Sequence, residues 1–182
     1  MHKRPGPEDL LKSTPELMHV AALLFGVICR DAEVFEFGSG GSTLWLARRA
    51  DRVISIEDDE EWYEAVQAAL RTQRTQADIR LVQTAQISEA IDSSGEWDVV
   101  FVDCRDNAQR ELAVLRSRAH VKPGGWLVAD DYNFPSVARA VAVLKTEGWD
   151  VAIVSGMKTH PVRKVPVKTA TAFCRRLWPE EK

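Results

Sequence analysis

Val34-Phe35-Glu36-Phe37-Gly38-Ser39-Gly40-Gly41-Ser42-Thr43 holds a strand, a glycine-rich turn and the start of a helix. Val34–Phe37 is an apolar β-type run interrupted by one carboxylate. Gly38–Gly41 is the turn, and a helical pattern begins at Ser42. Glycine has no Cβ, so backbone N–H groups in such a turn can approach a ligand closely. The unit predicts a nucleotide-like ligand lying against the end of this first strand.

The same alternation continues outward. Strands are expected at Arg52–Glu57, Ile79–Gln83, Asp98–Asp103 and Trp126–Ala129. Helices are expected at Ser42–Arg49, Glu60–Arg74, Ile87–Ile91, Ala108–Arg118 and Pro135–Glu147. Strands alternating with helices imply an α/β fold, a mostly parallel sheet covered on both faces. Continuous apolar runs such as Val99-Val100-Phe101-Val102 fit strands buried on both sides. Two last strands, Val151–Val154 and Ala170–Cys174, have no helix between them, and 156–167, rich in Lys, Pro and Val, reads as a loop. A direct return of this kind predicts an antiparallel pair at the sheet edge. Ser13-Thr14-Pro15-Glu16 carries the signals of a helix start, ahead of the apolar Leu17–Ile28. The expectation is one domain over 1–182, with 1–32 an N-terminal helical segment and 33–176 the core. Lys122-Pro123-Gly124-Gly125 reads as a turn feeding the fifth strand.

The 182 residues suffice for a full α/β core, and 45% hydrophobic with 28% charged residues is ordinary for a globular protein. A net charge of −3 gives no sign of a general nucleic-acid binder. No apolar run is long enough to span a bilayer, and no signal peptide is read at the basic N-terminus. Cys29, Cys104 and Cys174, odd in number and widely spaced, fit reduced thiols in a cytoplasmic protein.

Glycine turns of this type serve NAD, FAD, phosphates or S-adenosylmethionine, and some bind nothing. Here the third glycine of the dinucleotide fingerprint would fall at Thr43, which opposes NAD. Glu36 also opposes it. A carboxylate there suits an ammonium group better than a phosphate, and its alternative reading is a strand-end residue bonded locally. In parallel α/β sheets ligands bind at the carboxyl ends of strands. The second strand ends in Glu57, placed to accept ribose hydroxyls, though Glu57 also opens the acidic run Glu57–Glu61. The fourth ends at Asp103 and the fifth at Asp130-Asp131. If these strands are neighbours, three carboxylates converge, and they repel unless protonated, hydrogen-bonded or bridged by a cation. Oxygen-only ligands suit magnesium, calcium or manganese; otherwise Asp131 caps a turn and Asp130 bonds backbone.

Taken in order, these motifs resemble class I S-adenosylmethionine-dependent methyltransferases. Glu36-Phe37-Gly38-Ser39-Gly40 is similar to the family's first motif and Glu57 to the acid after its second strand. Asp98–Asp103 and Lys122-Pro123-Gly124-Gly125 are similar to the fourth-strand motif and the following turn. The resemblance spans about residues 33–175. It implies a Rossmann-like three-layer sandwich, a seven-stranded mostly parallel sheet with an antiparallel last strand. It implies S-adenosylmethionine held by Glu36, Gly38, Ser39, Gly40, Gly41, Ser42, Glu57 and Asp103. Asp103, Asp130 and Asp131, the candidate catalytic residues, resemble the divalent-metal site of catechol- and caffeoyl-CoA-type O-methyltransferases. Two departures stand out: the pair is Asp-Asp where those enzymes have Asp-Asn, and Asp106 stands where they carry a lysine base. The third strand ends in Gln83-Thr84-Ala85-Gln86, without the frequent adenine-site acid.

The expected activity is methyl transfer to a small molecule, O-methylation first, with a divalent cation such as Mg2+ or, without metal, with Asp103 orienting or deprotonating the acceptor. No nucleic-acid or membrane partner is expected, and a homodimer is compatible with the sequence. The alternative is a cofactor-binding regulatory or degenerate member without activity. His160 with Lys158, Arg163 and Lys164 reads as a solvated loop or an anion site. His19 and His120 read as packing or surface residues, Trp45 and Trp62 as core or cofactor-flanking. Cys104 lacks an evident base partner.

Overall fold

The structure, a computed structural model, describes residues 19–159 and 165–181. Seven strands form one sheet: β1 (Glu33–Phe37), β2 (Arg52–Glu57), β3 (Asp78–Leu81), β4 (Trp97–Val102), β5 (Val121–Ala129), β6 (Asp150–Thr159) and β7 (Pro166–Arg175). Their order is β3-β2-β1-β4-β5-β7-β6. The first five pair in parallel, and β7 runs antiparallel to both β5 and β6. The expected sheet, with its one reversed last strand, is the one observed.

The helices are α1 (His19–Ile28), α2 (Gly41–Leu46), α3 (Glu60–Gln73), α4 (Asn107–Ser117) and α5 (Pro135–Thr146), with a 3-10 turn at Thr84–Glu89. Strand side chains alternate between two apolar layers. Phe35, Phe37, Val100 and Val102 pack with Ala113 and Val114 of α4 and Val137, Ala140 and Val141 of α5. Val34, Val99 and Phe101 pack on the other side with Ala21 and Phe25 of α1 and with Trp45 and Leu46 of α2. Leu44, Val66, Leu70 and Ile79 join α2 and α3 to the edge strand β3. Burial on both faces is why the inner strands read as unbroken apolar runs.

Two sequence readings need correction. The segment 156–167 is not a loop throughout. β6 and β7 stay paired from Asp150↔Arg175 out to Thr159↔Pro166. Ala152, Ile153, Ser155 and Met157 along this ribbon are exposed, so backbone pairing rather than a buried face extends it and no apolar alternation marks it. Lys122–Gly125 is likewise no turn but part of β5. The pairing jumps from Trp97↔Val121 to Val99↔Trp126, so the Pro and glycines form an irregularity inside the strand.

After β1 the chain steps outward through β2 and β3, then returns to β4 on the other side of β1. The carboxyl ends of β1 and β4 therefore flank the point where strand order reverses, which is where α/β sheets form their ligand crevice.

Candidate functional site

The glycine turn leaves β1 at this reversal point. Gly38 has φ +93°, and a Cβ built on it would lie 2.7 Å from the Asp103 carbonyl oxygen and 2.9 Å from the Cys104 Cα. Only glycine lets the turn press against the end of β4. Behind the turn sits Glu36, wholly buried. Its Oε2 accepts hydrogen bonds from the Thr43 and Ser55 hydroxyls, both at 2.6 Å. Thr43 Oγ1 in turn accepts the Gly40 N–H at 2.8 Å. Thr43, in the slot of the missing third glycine, thus ties the turn to Glu36. Glu36 Oε1 has no hydrogen-bond partner among the described residues, and the Ser42, Ser55 and Thr43 hydroxyls act to lower the carboxyl's pKa. Burial outweighs the hydroxyls and pushes the Glu36 pKa up. Glu36, expected to meet a ligand ammonium, is enclosed behind the turn in this structure. With no exposed surface, Glu36 supports the turn from beneath, because α2 folds over it.

Glu57 ends β2 beside this turn and is 6% exposed. Its Oε2 accepts the Ser39 N–H at 3.0 Å, and its Oε1 accepts the Asp58 and Asp59 N–H groups, each at 3.0 Å. Burial raises its pKa to about 7, the backbone donors opposing. Asp59 caps α3 by accepting the Trp62 N–H, and the Trp62 indole donates to the Ser39 carbonyl at 2.6 Å. Trp62 therefore both packs on the apolar cluster around α3 and lies against the turn. Gly38, Ser39, Gly40, Gly41, Ser42, Glu57 and the β4 end are brought together as expected. A nearly buried carboxylate fixed to a glycine turn suits a ligand with hydroxyls next to a charged tail, and an adenosyl amino acid fits it.

Across the reversal point, Asp103, Asp130 and Asp131 do converge, with one oxygen of each within 4.8 Å of the others. They converge because β4 and β5 are paired neighbours. Asp130 is 1% exposed and accepts from the Thr171 hydroxyl at 2.7 Å. Asp131 takes φ +53°, a conformation Asp tolerates better than most residues. Its Oδ1 accepts from Thr169 at 3.3 Å.

Sequence reading missed Arg110. It lies one turn into α4, 5% exposed. Its Nη2 donates to Asp103 Oδ1 at 2.9 Å, its Nη1 to Asp131 Oδ2 at 3.0 Å and its Nε to the Cys104 carbonyl at 2.7 Å. Burial works against its charge, but Asp103 and Asp131 more than compensate and its pKa stays above the ordinary value. Asp106 explains the placement. It caps α4, accepting the Ala108 and Gln109 N–H groups, and so starts the helix one turn before Arg110. The signal in sequence was a capping Asp followed four residues later by a long cation.

A divalent metal suits this set by ligand type but not by arrangement. Two of the three carboxylates already bond a fixed guanidinium, and a metal among them would sit beside that positive charge. Cys104 is buried and its thiol is pushed up to about 12, so it is no nucleophile. His120 bonds the Gly95 carbonyl, remote in fold from the strand ends that form the site. Lys158 and His19 have no described side chains, and His160, Arg163 and Lys164 lie outside the described residues. An open groove of about 530 Å³ lies at the amino ends of β2 and β3, lined by Arg52, Val53, Leu70 and Asp78. The convergent polar groups are at the other end, and the site is assigned there.

Residues 35–132, more than half of the chain, match the family model described as a methyltransferase domain. The chain belongs to the methyltransferase-domain family. The match runs from within β1 to just past Asp131 and contains the glycine turn, Glu57, Asp103, Arg110, Asp130 and Asp131; Thr169 and Thr171 lie beyond it. No curated protein sequence matches the chain. The fold is shared with an O-methyltransferase from Bacillus cereus in complex with S-adenosylhomocysteine: 16% identity, TM-score 0.69, covering 94% of this chain and 91% of that one. It is shared with a precorrin-8w decarboxylase from Methanobacterium thermoautotrophicum at 18% identity and TM-score 0.67, covering 95% and 99%. An rRNA methylase from Streptococcus thermophilus matches at 13% identity and TM-score 0.63, covering 88% and 96%. Family and fold make this methyltransferase domain an S-adenosylmethionine-dependent enzyme. No helix among the described residues is long and apolar enough to cross a membrane.

Proposed function

We propose that this methyltransferase transfers the methyl group of S-adenosylmethionine to a hydroxyl of a small molecule. The observation that carries the reading is the placement of Asp103. Its backbone packs on Gly38 of the cofactor turn, while its side chain belongs to the carboxylate set. When bound, the cofactor supplies an electrophilic methyl on sulfur. Gly38, Ser39, Gly40, Gly41 and Ser42 would hold its amino acid end, and Glu57 would accept its ribose hydroxyls. Asp103 would orient the acceptor and take its hydroxyl proton as the oxygen is alkylated. Asp131 would position the acceptor beside it, and Asp130, buried and bonded to Thr171, would support the pair from behind.

Asp103 and Asp131 keep 29% and 22% of their side-chain surface exposed, enough to meet an acceptor. Carboxylates at this end, with a net charge of −3, favour a small hydroxyl-bearing acceptor over nucleic acid, whose phosphates they would repel. Three buried free thiols support a cytoplasmic setting. Val20, Leu23 and Val27, exposed on one side of α1 among the described residues, would offer a homodimer an apolar surface. We take 33–176 as the catalytic unit.

The test is transfer of labelled methyl from S-adenosylmethionine to a panel of phenols, catechols, alcohols and amines, with ribosomal and transfer RNA alongside. A hydroxyl acceptor, lost in Asp103→Asn while S-adenosylhomocysteine still binds, supports the reading. Transfer only to RNA or to amines would overturn it.

A further inference from the structure

Three carboxylates crowded at neighbouring strand ends repel unless protonated, hydrogen-bonded or bridged by a cation, and the sequence left open a divalent metal or none. We propose that Arg110 is that cation: the site carries its own fixed positive charge among Asp103, Asp130 and Asp131, and methyl transfer there needs no metal.

The argument rests on geometry. Arg110 is held on every donating edge of its guanidinium. Nη2 and Nη1 bridge Asp103 and Asp131, and Nε is anchored on the Cys104 carbonyl, all at 3.0 Å or less. A planar fork bound at three points is pre-organised, which a flexible ammonium would not be. With the residue 5% exposed, the guanidinium itself is largely shielded from water.

Arg110 takes one oxygen from each of two of the three converging carboxylates. Asp103 Oδ1 and Asp131 Oδ2 face the guanidinium, Asp131 Oδ1 faces Thr169 and Asp130 Oδ1 faces Thr171. A hard cation would need several of these oxygens at about 2.0–2.6 Å, turned away from their present donors. It would also sit within a few ångströms of a buried positive charge it cannot displace, because α4 holds Arg110 in place. Arg110 is a positioning residue in this account. It fixes Asp103 and Asp131 side by side as carboxylates, so that the acceptor meets two oriented acceptor oxygens rather than a Lewis acid. Substrate activation would then come from hydrogen bonding and proton acceptance.

The consequence for turnover rests on the proposed methyl transfer, but the charge assignment is measured without it. Full-length protein is titrated with manganese by calorimetry, and melting temperatures are recorded with EDTA and with 10 mM (an order-of-magnitude excess) of magnesium, manganese or calcium. Wild type should bind manganese no tighter than millimolar and melt at the same temperature in every buffer. Arg110→Gln empties the cation position. It should melt lower, gain at least about tenfold in manganese affinity, and recover part of its melting temperature with metal. Arg110→Lys keeps a charge and should stay metal-insensitive, which preserves the test if Arg110→Gln does not fold. Micromolar manganese binding by wild type that is lost in Asp130→Asn would overturn the assignment, as would a folded Arg110→Gln with no gain in affinity. A separate titration with S-adenosylhomocysteine reads the cofactor assignment. Its failure would sink the methyltransferase reading and leave the manganese result standing.

Discussion

Replacing Gly38 by alanine tests the claim that the cofactor turn and the acceptor end of β4 are built against each other. Two terms add. At φ +93° an L-residue is in left-handed territory, which costs roughly 1–2 kcal/mol. The new Cβ would lie 2.7 Å from the Asp103 carbonyl oxygen and 2.9 Å from both the Asp103 carbonyl carbon and the Cys104 Cα. All three are backbone atoms, so no side chain can swing aside, and overpacking of this kind costs typically 1–3 kcal/mol. The sum, about 2–5 kcal/mol, is a large part of a stability of about 5–15 kcal/mol. For a chain of this size it corresponds to a melting-temperature drop of roughly 4–20 °C. Gly148→Ala separates the terms. Gly148 has φ +86° with nothing within 4 Å of its Cβ position, so only the conformational term of about 1–2 kcal/mol applies. Thermal melts of both variants and titration with S-adenosylhomocysteine make the comparison. Gly38→Ala should melt clearly below Gly148→Ala and alone should lose cofactor affinity. Equal melting temperatures with intact affinity would refute the close approach of turn to β4.

The Glu57 carboxyl, raised to about 7 by burial, gives a pH signature. Its folded value lies above the unfolded one near 4.5, so folding favours the protonated form. That contribution is full below about pH 4.5 and is lost as pH rises through about 7. Ribose hydroxyls prefer the ionised form, so affinity for S-adenosylhomocysteine should rise between pH 6 and 8 with proton release, seen as a buffer-dependent heat. Glu57→Gln should bind roughly 10- to 100-fold more weakly, as charge-assisted bonds of about 1.5–3 kcal/mol imply, and lose the pH dependence. A flat wild-type profile would contradict the ribose role. Thr43→Val leaves Glu36 Oε2 with Ser55 alone and the Gly40 N–H unpaired, so chemical denaturation should show a loss of about 1–3 kcal/mol; a stability unchanged from wild type would remove Thr43 from its linking role. Cys104, with its thiol near 12, should resist iodoacetamide in the folded protein at pH 8, and rapid labelling by mass spectrometry would show that it is not buried as described.

What could be read from the chain is what short spans encode. The glycine turn, the alternation of strands and helices, and the acids at Glu57, Asp103, Asp130 and Asp131 are local patterns, and the strand pairing of β4 with β5 brings the last three together. Glu36 was legible as a polar intrusion in β1 but not as enclosed, because its enclosure depends on Thr43 and Ser55 arriving from α2 and β2. Arg110 was one arginine among many on an amphipathic helix. Its importance comes from the Asp106 cap, which sets where α4 starts, and from the positive φ of Asp131, which turns that carboxylate toward it. The antiparallel β6–β7 pair was legible, but its outward extension beyond Val154 and Ala170 was read as a loop: Ser155 and Met157 are exposed there and backbone pairing alone carries the ribbon, so side-chain patterning does not mark it.

A crystal structure of the protein grown with S-adenosylhomocysteine tests the central claim most directly. The account predicts the ribose hydroxyls on Glu57, the amino acid end along Gly38–Ser42, and the sulfur directed toward Asp103 with Arg110 still bridging Asp103 and Asp131. Ligand bound elsewhere, for instance in the groove at the amino ends of β2 and β3, or seated without contact to Glu57, would contradict it.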